Sequence, residues 1–207
     1  MTSPHKCYIL GLGHPRTGTR YTKELLCKLG LDVGHERTGR HGIIAWPLVA
    51  TEGPWPFVNK TNDEGVIPQR TIYNVRSPHQ SIPSIVYTDD KTGKSANWRN
   101  NFLGMPYRSE FDNPVEYAIV SLLVFDRLIL QREPDLIFRI EDQTHKVVDM
   151  VRKDQMLRRI IYTDPGVVNK REHDDWGSLS EYYDTVSDDL RESINDYCIR
   201  HGYDELF

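Results

Sequence analysis

Arg16, Thr17, Gly18 and Thr19 stand between an apolar run and a segment with helical composition, in the stretch Y-I-L-G-L-G-H-P-R-T-G-T over residues 8–19. A strand that turns directly into a helix N-terminus is a ready-made anion site. Backbone N–H groups point outward there, and the helix dipole favours negative charge. Arg76 is the second cation of this kind. It ends the β-branched and aromatic run T-I-Y-N-V of residues 71–75, which reads as a buried strand. Three side chains could act as a general base near such an anion. Glu36 is first, His41 competes with it, and His35 is a third choice, all in V-G-H-E-R-T-G-R-H over residues 33–41.

Two common glycine motifs fail here. A triphosphate-binding loop needs Lys directly after its second Gly, but Thr19 follows Gly18. A dinucleotide fingerprint needs a third Gly where Arg16 stands, and a bulky cation there blocks close helix–strand packing. The stretch Pro15, Arg16, Thr17, Gly18, Thr19 instead resembles the 5′-phosphosulfate loop of the sulfotransferases that use PAPS (3′-phosphoadenosine 5′-phosphosulfate). Arg20 departs from that pattern, since the family usually places a second hydroxyl there. Arg76, Pro78 and Ser84 resemble the family's 3′-phosphate motif, R-x-P-x-x-x-x-x-S. Arg offers a planar fork of donors to a phosphate, and a Ser farther along the helix adds a neutral donor.

The resemblance implies sulfuryl transfer from PAPS to a hydroxyl or amine, leaving PAP (3′-phosphoadenosine 5′-phosphate). It implies Arg16 beside the departing phosphate, and Pro15, Thr17, Gly18, Thr19, Arg20, Arg76 and Ser84 around the nucleotide. Tyrosylprotein-type members use a carboxylate at a comparable distance past the loop, which matches Glu36. Cytosolic members use a histidine, which keeps His41 open. Lys170 and Arg171 stand where cytosolic members carry a late cationic clamp for the 3′-phosphate, and Tyr21 takes the place of their adenine-stacking Trp. R-I-E-D at residues 139–142 is similar to a late strand-end motif, with Asp142 expected as a helix cap. No metal is required, since cations and N–H dipoles can offset the charge that develops. Two alternatives stand beside this reading, a P-loop-type nucleotide-binding kinase and a catalytically silent PAP-binding protein.

The elements that position these residues alternate. Strands are expected at 7–12, 31–33, 71–75 and 136–140 with helices between them. That pattern implies an α/β fold, three layers with a central, mostly parallel sheet, as one domain over 1–207. Arg16, Glu36 and Arg76 each follow a strand end, where ligands of such sheets bind. Residues 113–131 form the strongest helix, opened by Asn113 and Pro114. Pro83 is expected to bend or stop the helix that begins near His79. The stretch 46–70 reads as a long loop shaping the acceptor pocket, and 88–106 as a lid. Ser178 and Glu181 are spaced as a capping box.

A formal charge of −4 excludes a global basic field for nucleic acid. No apolar run reaches the roughly 18 residues a membrane span needs. No leader pattern opens the chain, and three scattered cysteines suit a reducing compartment, so the expectation is cytoplasmic. The acceptor is left open among small molecules, sugars, lipids and peptides, and an oligomer is compatible with the sequence.

Overall fold

The computed structural model describes residues 5–50, 66–92, 94–154 and 179–207. By its contacts the chain divides into two compact units, Met1–Arg76 with Leu128–Lys170, and Ser77–Arg127 with Arg171–Phe207.

The first unit carries the sheet. Its strands are β1 (His5–Leu12), β2 (Val33–His35), β3 (Gly42–Ile44), β4 (Val66–Val75) and β5 (Leu136–Arg139), in the order β2-β3-β1-β4-β5, with every pairing parallel. The fold is therefore α/β with a parallel central sheet flanked by helices, as the alternating pattern implied. β1 lies between β3 and β4, pairing Leu10 with Ile43 on one side and with Thr71 on the other. Both of its faces are covered, which explains why Ile9, Leu10 and Leu12 form a nearly continuous apolar run. Two helices, α1 (Thr19–Lys28) and α5 (Thr144–Lys153), cover one face. Their Leu25, Leu26, Val147, Val148 and Val151 bury against Ile9, Ile44, Ile72 and Phe138. Each fully buried Leu or Val contributes about 1.5–3 kcal/mol.

β3 lies outside the expected strands, β2 begins two residues later than expected and β4 five residues earlier. β3 has only three residues, too few to show a period. The early half of β4 contains Pro68, which argues against a central strand. β5 joins β4 only from Ile72 onward, so the missing N–H of Pro68 leaves no ladder partner unserved there.

The second unit is helical, with α2 (Pro78–Thr92), α3 (Lys94–Leu103), α4 (Pro114–Leu130), α6 (Ser180–Asp184) and α7 (Asp188–His201). Ile82, Ile85, Tyr117, Ile119, Leu122, Ile194 and Tyr197 form its core. Two expectations are corrected here. α2 runs through Pro83 to Thr92, so of the bend or stop expected at Pro83 the stop does not occur. The stretch read as a lid is mostly helix, fixed by an ion pair of 2.5 Å between Asp89 and Arg99, both buried. Asn113 does cap α4, accepting the N–H of Val115 at 2.8 Å. The proposed box partner Ser178, like Lys170, Arg171 and the loop residues 51–65, lies outside the described residues, and α6 opens at Leu179 without a side-chain cap.

Candidate functional site

Arg16 and Arg76 come together at one edge of the sheet. The loop after β1 holds Arg16, and Arg76 directly follows β4. One guanidinium nitrogen of Arg76, Nη1, donates to the Arg16 carbonyl at 3.3 Å. β1 and β4 are adjacent strands, yet the chain leaves β1 toward β2 and returns from β4 toward β5 on the opposite side. Connections that depart in opposite directions open a crevice at the C-terminal strand ends, the usual ligand position in such sheets.

The loop runs into a helix start that no side chain closes. Gly18 caps α1 in the left-handed region, φ 92° and ψ 25°, where a Cβ would sit 2.6 Å from Ile140 Cδ1. Only glycine fits both the angle and the space. No side chain caps α1 and no acid occupies its first turn. The first N–H groups of a helix have no partner within the helix itself. Such orphan donors at a helix start attract an anion.

Beneath the loop lies a buried set in which Thr17 joins His14 and Asn74, two residues with no role in the sequence-based expectation. His14 is 1% exposed, and its Nδ1 accepts the Arg16 N–H at 3.2 Å. The Thr17 hydroxyl donates to the His14 carbonyl at 2.9 Å. Asn74 Nδ2 donates to the Thr17 carbonyl at 2.8 Å. Thr17 is therefore a buried brace rather than a side chain turned outward. Asn74 was legible as the one polar residue in the apolar end of its strand.

Thr19 and Glu36 meet through His35. The Thr19 hydroxyl and His35 Nε2 are 3.1 Å apart, which ties the loop to the end of β2. Burial holds the His35 imidazole below the usual histidine value, opposed by the charge of Glu36. Glu36 follows β2 with φ 53°, a left-handed conformation that costs a non-glycine residue free energy. Its N–H donates to the Ile44 carbonyl at 2.9 Å, which holds the strained residue in place. Among the described residues the half-buried carboxylate has no hydrogen bond or ion pair, so it is not consumed by Arg20, Arg37 or Arg40.

The structure does not bring His41 to this edge. It precedes β3, at the N-terminal ends of the strands, and its Nδ1 accepts the Asp32 N–H at 2.8 Å. The length of β3, roughly 10 Å at 3.3 Å per residue, separates it from Ile44 and Glu36. Ser84 lies in α2 of the second unit with 2% exposure. Tyr21 packs against the sheet-face core. Asp142 pairs with Arg139, whose Nε donates to it at 2.8 Å, and Gln143 takes the cap position of α5. Among the described residues no three His, Cys, Asp or Glu side chains are grouped as metal ligands, and no helix is long and apolar enough to cross a membrane.

No family model matches the chain, and no curated protein matches it. Among solved structures it is similar to a mouse sulfotransferase, SULT7A1 complexed with PAP. The identity is 10%, the match covers 97% of this chain and 85% of that one, and the TM-score is 0.44.

Proposed function

We propose that the chain is a PAPS-dependent sulfotransferase that moves a sulfuryl group to a hydroxyl or amine acceptor. The observation that carries this reading is the junction of two motifs, with the Arg76 guanidinium on the carbonyl of Arg16 at the open end of an uncapped helix. A triphosphate-binding loop would place a Lys at position 19, and Thr19 is there instead, bonded to His35.

PAPS supplies a sulfuryl group already activated on a phosphate leaving group. The N–H groups of Gly18, Thr19 and Arg20 would hold its 5′ end, and Arg16 would offset charge on the departing phosphate. Arg76 would recognise the 3′-phosphate, with Ser84 and, farther along the chain, Lys170 and Arg171 as further contacts. Glu36 would take the acceptor proton, kept ready by its fixed backbone and by a carboxylate with no ion pair among the described residues. Neutral His35 would hold Thr19 in register with that carboxylate. A cytoplasmic location belongs to this reading, with the acceptor left open.

Calorimetry with PAP on the Glu36→Gln variant separates an enzyme from a silent binding protein. An enzyme keeps PAP affinity in this variant and loses PAPS turnover. Unchanged turnover would remove Glu36 from the mechanism.

A further inference from the structure

Between α1 and the segment that returns from β2 to β3 lies a cavity of about 480 Å³, lined among others by Lys23, Cys27, Asp32, Gly34, Arg37 and Arg40. Its origin is a short crossover. β2 and β3 are parallel, yet only residues 36–41 join them, where a dozen or more residues is usual. The return segment crosses the strand at backbone distance. A Cβ on Gly34 would lie 1.9 Å from the Arg37 carbonyl oxygen, and one on Gly39 would lie 2.5 Å from that of Asp32. Backbone packed on backbone leaves no side chain to fill the space beside it.

The lining is cationic in a chain whose formal charge is −4. Lys23, Arg37 and Arg40 stand in the lining with one carboxylate, Asp32, which accepts the Arg40 backbone N–H at 3.1 Å. Glu24 holds Lys23 at 3.1 Å. Neither the Arg37 nor the Arg40 guanidinium has an ion-pair partner among the described residues. Two guanidinium groups without an ion pair among the described residues, beside a concave space, attract an anion of fork-matching shape. The cavity also adjoins the proposed base, because Glu36 stands between its lining residues Gly34 and Arg37. Lys23 and Glu36 both act electrostatically on the His35 ring.

We infer that this cavity binds an oxyanion group (carboxylate, sulfate or phosphate) carried by the acceptor, so that the enzyme acts on acceptors that are already anionic. That the ligand is an acceptor rests on the proposed sulfotransferase activity, whereas anion binding in the cavity does not.

Cys27 makes the test direct. It lines the cavity, whereas Cys7 and Cys198 are buried and their thiols are pushed up to about 11 by burial. A neutral alkylating reagent, iodoacetamide, is applied at constant ionic strength with rising inorganic phosphate or acetate, and modification of Cys27 is followed by mass. Phosphate, acetate or both slow it about tenfold at saturation, and the protection is lost in the Arg37→Ala/Arg40→Ala double variant. Unslowed modification of the parent chain overturns the inference, as does equal protection in the double variant. If that variant unfolds, so that Cys7 and Cys198 also react, the single variant Arg40→Gln gives the same comparison. With PAPS present, the double variant lowers the kcat/KM ratio of a carboxylated phenol to the uncharged phenol by about tenfold. Protection without any sulfuryl transfer keeps the anion site and removes the sulfotransferase. Transfer without protection or acceptor preference does the reverse.

Discussion

Arg16 and Arg76 touch through one hydrogen bond, but they are expected to fail differently when removed. Arg16→Ala loses a cation at the leaving phosphate, so both PAP affinity and the rate of transfer fall. A charge-assisted hydrogen bond contributes about 1.5–3 kcal/mol, which calorimetry reads as a 10- to 100-fold weaker PAP complex. Unchanged affinity removes the loop from the nucleotide site. As the proposed base, Glu36 would act through chemistry rather than affinity, and Glu36→Gln is expected to cut turnover by about 10²- to 10⁴-fold. His35 gives a stability signature. Burial lowers its folded value, so the unfolded chain takes up the proton first. Stability is then unaffected well above the ordinary value of about 6.5 and declines as pH falls below it toward the folded value. In His35→Gln, denaturant titrations at pH 7.5 and 5.5 should differ less than in the parent. An equal or larger difference contradicts the burial of a neutral imidazole.

At the scale of elements, the loop between β1 and α1 depends on Gly18 and on the Asn74 brace. Gly18→Ala meets both a φ of 92° and the Ile140 side chain, so it should displace the start of α1 and weaken PAP binding even if the chain stays folded. Asn74→Ala leaves the Thr17 carbonyl without its donor in a buried place. The expected cost is about 1–3 kcal/mol by denaturant unfolding, and a loss below a few tenths would show that the brace is dispensable. This scale also shows what the sequence reveals and what it hides. The apolar run of β1 and the turn after it were legible, because burial on both faces and the glycine turn each leave a local mark. The crossover from β2 to β3 was not. Its logic is backbone contact at Gly34 and Gly39, and no periodicity records which backbone a glycine will meet. His14 was passed over for a related reason, since a buried histidine and an exposed one look alike in the sequence.

For the whole molecule, the central parallel sheet with flanking helices followed from the alternation of elements, and the meeting of Arg16 with Arg76 followed from their places after adjacent strands, while Glu36 follows β2 at the same edge of the sheet. The placement of His41 at the other end of the sheet needed strand β3, which is too short to show itself. The helical unit stands on its own buried polar pair, Asp89 with Arg99, supported by Tyr117, whose hydroxyl reaches Asn100 at 3.2 Å. Removing one member of a buried pair strands the other charge. Asp89→Ala is therefore expected to cost about 3–5 kcal/mol by denaturant unfolding, and a loss under 1 kcal/mol would mean that water reaches the pair. The claim on which the rest depends is that the crevice between β1 and β4 recognises a nucleotide phosphorylated at both 3′ and 5′. Calorimetric titration of the parent chain and of Arg76→Ala with PAP and with AMP tests it most directly. A sulfotransferase of this design binds PAP well above AMP and loses that preference when Arg76 is removed, while a parent chain that binds the two alike, or neither, contradicts it.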